Sequence, residues 1–208
     1  ICILIGYAIG LFQTGYIYGK TQHIDIREHG SGNAGTTNTL RTLGFKAGAI
    51  TFAGDCGKAI LAIFISWLIF HEQYPEGIKL LGMYAGLGAV LGHNYPFYMK
   101  FKGGKGIATS LGVLLMSNWQ IGLICLVFAL VLMILTKMVS VGSCGAAVLF
   151  PVLTLFINEN YTVLTEGKSG KVYFVYSVIL AIIVLYNHRA NIKRIMSGTE
   201  NKLNFGKK

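Results

Sequence analysis

The chain has 208 residues, 53% of them hydrophobic and only 12% charged, with a mean hydropathy of +0.58. A soluble domain carries about a quarter of its residues as charged side chains, so this composition excludes an ordinary soluble globule and points to a polytopic membrane protein. The net charge of +10 would suggest nucleic acid in a soluble chain. Here the basic residues sit mainly in short connections between apolar runs, so the excess reads as membrane topology, with lipid and not nucleic acid as the partner.

Seven apolar segments follow one another, over residues 1–19, 45–70, 77–98, 104–118, 120–136, 139–157 and 171–187. Segment 1–19 is followed by a polar loop instead of a cleavage site and reads as a retained span. In the second segment Asp55 and Lys58 stand three apart in apolar surroundings. Intramembrane ions are costly, so the two are expected to pair towards the interior with a structural role. The third carries glycine pairs at Gly82/Gly86 and Gly88/Gly92, a spacing for close helix packing. The fourth is short and must be tilted, thinned around or partly re-entrant. Cys2, Cys56, Cys125 and Cys144 all lie in apolar runs without CxxC spacing and read as inert thiols. The predicted fold is all-α: one integral membrane domain over 1–208, a bundle of about seven transmembrane helices.

Charge orients the bundle. Lys20, Arg27, Arg41 and Lys46 fall in the first connection, Lys100, Lys102 and Lys105 in the third, Lys137 in the fifth, and Arg189, Lys193, Arg194, Lys202, Lys207 and Lys208 in the tail. Those fourteen of the 18 basic residues share one side. Glu72 and Glu76, and a loop with Glu159, Glu166, Lys168 and Lys171, mark the other. The positive-inside rule then puts the amino terminus outside and the carboxyl terminus in the cytoplasm, a parity that seven spans satisfy.

The same assignment gathers three polar stretches on the cytoplasmic face. The first, HGSGNAGTTNTLRTLG, spans His29 to Gly44. Its glycines let backbone N–H groups turn into an anion-binding nest, Thr36 or Thr37 can open a helix beside it, and Arg41 offers a planar fork for phosphate or carboxylate. Ser31 can donate to the same anion or act as a nucleophile, although no acid–base partner is adjacent in sequence. A plain glycine turn, with Arg41 facing anionic lipid, accounts for this loop taken alone. The second stretch, KFKGGKGIATS from Lys100 to Ser110, concentrates lysines among glycines without the spacing of a nucleotide P-loop; a basic membrane-surface cluster is its plainer reading. His93 and Asn94 stand at the helix end just before it. The third, NHRANIKRIMSGTENK from Asn187 to Lys202, sets His188 and Asn191 on one helical face, with Arg189, Lys193 and Arg194 suited to snorkelling. Together the three argue for phosphate-bearing substrates handled at the cytoplasmic interface.

These stretches, taken as SGNAGTTNTLRTLG, GHNYPFYMKFKGGKGIATSLG and NHRANIKRIMSGTENK, resemble in order and spacing the three motifs of the PlsY family. That family comprises bacterial acyl-phosphate:glycerol-3-phosphate acyltransferases of the cytoplasmic membrane. The resemblance covers essentially the whole chain. It implies transfer of a fatty acyl group from acyl phosphate to the 1-hydroxyl of glycerol 3-phosphate, giving lysophosphatidate and inorganic phosphate for phospholipid biosynthesis. It implies catalytic roles for Ser31, Arg41, His188 and Asn191. Substrate binding would fall to Gly30, Gly32, Asn33, Gly35 and Asn38 in the first motif, and to His93, Lys102, Gly103, Gly104, Lys105 and Gly106 in the second. Ser140 and Ser143 resemble family serines near the site, and Glu200 a residue of structural support.

An acyl phosphate is already activated, so direct transfer needs only alignment, charge neutralisation and oxyanion stabilisation. Ser31 is then a hydrogen-bonder, and His188 or the substrate's phosphate takes the proton. No metal-ligand cluster is legible, so no metal or other cofactor is expected, nor an obligate protein partner. The competing class is an organic-phosphate transporter or channel with Asp55 and Lys58 lining a path; against it, the polar motifs crowd one face and no inverted repeat of broken helices is evident. A purely structural membrane subunit would leave the three motifs unexplained.

Overall fold

The structure, a computed structural model, describes residues 1–156 and 170–203. Glu159, Glu166 and Lys168, together with Lys207 and Lys208, lie outside the described residues. The described residues are helical throughout, with no strand among them. The chain divides into two compact units, Ile1–Ser117 and Asn118–Lys208.

The first unit contains α1 (Cys2–Gly10), α2 (Thr14–Thr21), α3 (Thr36–Leu43), α4 (Phe45–Phe70), α5 (Ile78–Asn94) and α6 (Ile107–Ser117), with 3₁₀ turns at Ile26–Glu28 and Phe97–Met99. Small residues let α1 and α5 touch backbone to backbone. A Cβ added at Gly6 or Gly10 would fall on the Ala85 or Ala89 carbonyl, and one at Gly88 or Gly92 on the Ile3 or Tyr7 carbonyl. That is the contact expected where apolar solvent gives helices little reason to associate except close packing.

The segment predicted as one span over 1–19 is broken at Leu11–Gln13, where Gln13 leaves the helical region (φ −100°, ψ 87°). The reason is the Gln13 amide. It is fully buried, and its Nε2 donates to the Gly10, Gly92 and His93 carbonyls at 3.4, 3.4 and 3.0 Å. A polar group in apolar surroundings must find partners, and these partners sit at the end of α5. The helix opens to let it reach them.

The second unit holds α7 (Trp119–Thr136), α8 (Val139–Phe156), α9 (Gly170–Asn187) and α10 (Arg189–Met196). Asn118 caps α7, its side chain accepting from Ile121 N–H at 3.0 Å, which satisfies one of the otherwise orphaned donors of the first turn. Lys137, in the left-handed region at φ 58°, turns α7 into α8. There a Cβ at Gly142 would fall on the Ala129 carbonyl. Between α9 and α10 the axis bends by 63° at His188.

Among the described residues four helices are long and apolar enough to cross a membrane: Cys2–Thr21 taken together, α4, α7 and α8. The bent α9–α10 pair makes a fifth if it is one span. At 17 and 11 residues, α5 and α6 are about 25 Å and 16 Å long, short of the hydrocarbon thickness. Over the described residues each predicted apolar segment after the first corresponds to one α-helix, and the first to α1 and α2. The number that spans is four to five by length and composition.

Candidate active site

In the first unit the SGNAG stretch is a loop leading into α3, which starts at Thr36. Gly30 and Gly32 take φ of +58° and +69°, angles that glycine adopts readily and other residues rarely. The buried Asn38 is the loop's inner fastening. Its Nδ2 donates to the Ile26 and His29 carbonyls, both at 2.9 Å, and its Oδ1 accepts from Ser31 N–H at 2.8 Å. Asn33 Oδ1 accepts from Gly35 N–H at 3.0 Å, and Gly32 N–H goes to the His29 carbonyl at 3.0 Å. Three of the N–H groups in this stretch, those of Ser31, Gly32 and Gly35, therefore already meet acceptors of the loop itself. What this stretch presents outward is side chains: Ser31 on the loop and Arg41 on α3 are exposed. Arg27, read from sequence only as a topology charge, is gripped by Asp25, with Nε to Oδ1 at 2.9 Å and a terminal nitrogen to Oδ2 at 2.7 Å. Those hydrogen bonds hold the Asp25 carboxyl well below the usual carboxylate range.

The KGGKG loop is zipped onto the end of α5. Gly104 N–H donates to the His93 carbonyl and Gly103 N–H to that of Asn94, each at 3.1 Å. A Cβ on Gly103 would fall on the His93 carbonyl, and one on Gly104 on His93 Nε2. Glycine is needed here for approach. Asn33 Nδ2 donates to the Gly103 carbonyl at 3.3 Å, so the first and second motifs are joined directly. Lys102 is exposed and Lys105 half-buried on this loop, while Gly104 and Gly106 are buried.

Behind the loop lie His93, Asp55 and Lys58, all buried. The expected ion pair is present, Lys58 Nζ to Asp55 Oδ1 at 3.0 Å. It is closed internally by Thr14 Oγ1, which donates to Asp55 Oδ1 at 3.1 Å, and by the Phe12 carbonyl, which accepts from Lys58 at 2.7 Å. A pair consumed this way does not line an ion path.

In the second unit Glu200 organises the third motif. Its Oε1 accepts from Ser140 Oγ at 2.8 Å and Asn191 Nδ2 at 2.7 Å, and its Oε2 from Arg194 Nε at 2.8 Å. Burial pushes this carboxyl up, but the hydrogen bonds from Asn191, Ser140 and Arg194 outweigh it and hold it below the ordinary value. Ser143 is buried one turn after Ser140. His188 is buried at the α9–α10 bend, its Nδ1 2.8 Å from the Val184 carbonyl. A carbonyl only accepts, so Nδ1 carries a proton; when the ring is neutral this leaves the lone pair on Nε2.

The structure thus joins motif one to motif two within the first unit, and ties Ser140, Asn191 and Glu200 together in the second. Four polar residues carry more than the sequence reading assigned them. Gln13 breaks the first helix. Asn94, with both amide atoms buried and unpartnered among the described residues, lies against Gly106. The hydroxyls of Thr109 and Ser110, in the first turn of α6, are likewise buried without a partner among those residues. The available signal is polarity itself, since amides and hydroxyls at the ends of apolar helices are worth suspecting as a group.

Fold and site together define an all-helical membrane protein whose polar chemistry is concentrated in glycine-rich basic loops and a carboxylate-fastened tail. The family model described as glycerol-3-phosphate acyltransferase matches residues 1–198, and the chain belongs to that family. It is 43% identical over 202 residues to the glycerol-3-phosphate acyltransferase of Thermoanaerobacter sp. (strain X514), covering 96% of this chain and 93% of the relative. It is 40% identical over 202 residues to that of Bacillus subtilis (strain 168), covering 97% and 95%. Two crystal structures of PlsY, an integral membrane glycerol 3-phosphate acyltransferase, superpose on it at 29% identity over 98% of this chain and 94% of theirs. The glycerol 3-phosphate form does so with a TM-score of 0.83 and the lysophosphatidic acid form with 0.81. Apolar helices and integral membrane relatives agree that this is a multi-pass membrane protein and an acyltransferase.

Proposed function

We propose that the chain transfers an acyl group from acyl phosphate to the 1-hydroxyl of glycerol 3-phosphate, releasing lysophosphatidate and inorganic phosphate at the cytoplasmic face of a bacterial membrane. The observation that carries this reading is the Asn33–Gly103 hydrogen bond. It couples the loop bearing Ser31, which runs into α3 and Arg41, to the loop bearing Lys102 and Lys105, and the proposal is that these cations and close-approach glycines act on the same anionic substrates. The acceptor oxygen attacks the acyl carbon, the tetrahedral centre collapses, and phosphate leaves with the bonding pair. Arg41, with its planar fork, suits a phosphate better than a lysine would. His188 Nε2, held with its lone pair by the Nδ1–H···O=C contact to Val184, is suited to take the hydroxyl proton. The departing phosphate is the other base within the reaction itself. Ser31 orients substrate by hydrogen bonding and is not acylated.

Purified protein given acyl phosphate and labelled glycerol 3-phosphate is expected to form labelled lysophosphatidate, and to form none when acyl-CoA is the only donor. Efficient turnover with acyl-CoA alone would overturn the donor assignment. Incubation with acyl phosphate but no acceptor is expected to leave Ser31 unmodified by mass spectrometry; an acyl adduct there would end the direct-transfer reading.

The same reading sets seven spans, counting α5 and α6 as locally thinned around, with the amino terminus outside and the carboxyl terminus inside. Cysteines introduced near Asn33 and Lys102 are expected to resist impermeant thiol reagents in intact cells and to react after permeabilisation. Labelling of either from outside would refute the topology.

A further inference from the structure

Asp55, Lys58 and His93 are 1%, 5% and 3% exposed, and the resemblance gives His93 a part in substrate binding but no part to Asp55 or Lys58 beyond structure. Their geometry is nevertheless restrictive. An ammonium group has three N–H bonds, and those of Lys58 meet three acceptors: Asp55 Oδ1 at 3.0 Å, the Phe12 carbonyl at 2.7 Å and His93 Nδ1 at 2.7 Å. A protonated amine has no lone pair to offer, so Nδ1 must be the acceptor and the proton of the neutral ring must sit on Nε2. Asp55 Oδ1 is 3.6 Å from His93 Nδ1, too far to compete as a hydrogen-bond partner. Asp55 supplies the counter-charge and is itself fixed by Thr14.

The other edge of the imidazole is turned to the substrate-binding loop, since Nε2 occupies the space a side chain at Gly104 would fill. The backbone of His93 is held as firmly as its ring. Its carbonyl accepts from Gln13 Nε2 at 3.0 Å and from Gly104 N–H at 3.1 Å. A lone pair directed at the loop would repel an approaching phosphate, whereas an N–H attracts it. A buried ion pair contributes little net stability, and its best-attested use is to select one arrangement among several.

We propose that Asp55 and Lys58 are positioning residues that lock His93 as its Nε2–H tautomer, so that a fixed neutral donor stands behind the glycine-rich loop where the anionic end of the substrate approaches. This rests on the proposed reaction for the identity of the anion, but the tautomer itself does not.

The full-length protein, labelled with ¹⁵N-histidine in lipid, tests it. The His93 signals, assigned by their loss in His93→Gln, are expected to show a protonated Nε2 and an unprotonated Nδ1. In Lys58→Met, which keeps the length of the side chain and removes its donors, the tautomer preference is expected to disappear. The KM for glycerol 3-phosphate should rise by about tenfold, the scale of one lost hydrogen bond to an anion, with a smaller change in kcat. A wild-type His93 protonated on Nδ1 overturns the lock whatever the activity, and needs no variant to fold. An unchanged tautomer and KM in folded Lys58→Met overturns the positioning role. A wild type inactive with acyl phosphate and glycerol 3-phosphate, yet showing Nε2–H, overturns the reaction and the anion-facing role while the tautomer assignment stands.

Discussion

Replacing Gly104 by alanine is expected to lower kcat/KM for glycerol 3-phosphate by about 100-fold, mainly through KM, because the added methyl has nowhere to go. Its Cβ falls on His93 Nε2, and that ring cannot swing aside without breaking the 2.7 Å contact to Lys58. The loop must therefore lift. Lifting it strains the hydrogen bond from Gly104 N–H to the His93 carbonyl and the one from Asn33 to Gly103, so both motifs shift together. Overpacking of this kind costs about 1–3 kcal/mol, and a displacement near 1 Å in a positioning element can cost about 10²-fold in rate. Gly57→Ala on α4 is the matched control, since a Cβ there meets nothing within 4 Å and alanine favours the helix. Steady-state kinetics of the two variants in the same lipid decide the matter. Equal KM values would show that the loop does not carry the acceptor.

How much of this is legible in the sequence depends on the range of the interaction. Asp55 and Lys58 are readable as a pair because they stand three apart on an apolar helix, where an ion has few other partners. The structure closes them at 3.0 Å. Gly88 and Gly92 are readable as packing residues for the same local reason, and both meet the α1 backbone. Gln13 is not readable as a helix break. An isolated amide within an apolar run is tolerable in a span, and only the Gly92 and His93 carbonyls, 79 and 80 residues on, show why the chain opens. His93 as the third partner of Lys58, 35 residues away, is hidden likewise. In the first loop the glycines correctly mark a turn, yet they do not reveal that Asn38 and Asn33 take up two of its N–H groups, those of Ser31 and Gly35. Period and spacing report neighbours along a helix; they carry no information about which carboxamide reaches which backbone group across the fold.

Glu200→Gln is expected to destabilise the second unit by about 2 kcal/mol and to remove most of the activity, although only one atom changes. Every group facing the carboxylate is a donor: Ser140 and Asn191 at Oε1, Arg194 at Oε2. A glutamine must turn its NH₂ towards one side, setting donor against donor in a buried site, and a buried polar group left unmatched costs about 1–3 kcal/mol. If the amide faces Asn191, that side chain loses its orientation; if it faces Arg194, the tail beyond α10 loosens. The pH dependence separates this from a general packing defect. Hydrogen bonds hold the native carboxyl below its ordinary pKa of 4.5, so the unfolded chain binds the proton first. The stabilisation from Glu200 is complete above that ordinary value and is lost as pH falls through it towards the native one. Thermal unfolding of the wild type in detergent should therefore shift to lower temperature as the medium is acidified below about pH 4.5, and Glu200→Gln should lack that component of the shift. Parallel acid profiles for the two proteins would mean that Glu200 is not ionised in the native state, and that Ser140, Asn191 and Arg194 are held by something other than its charge.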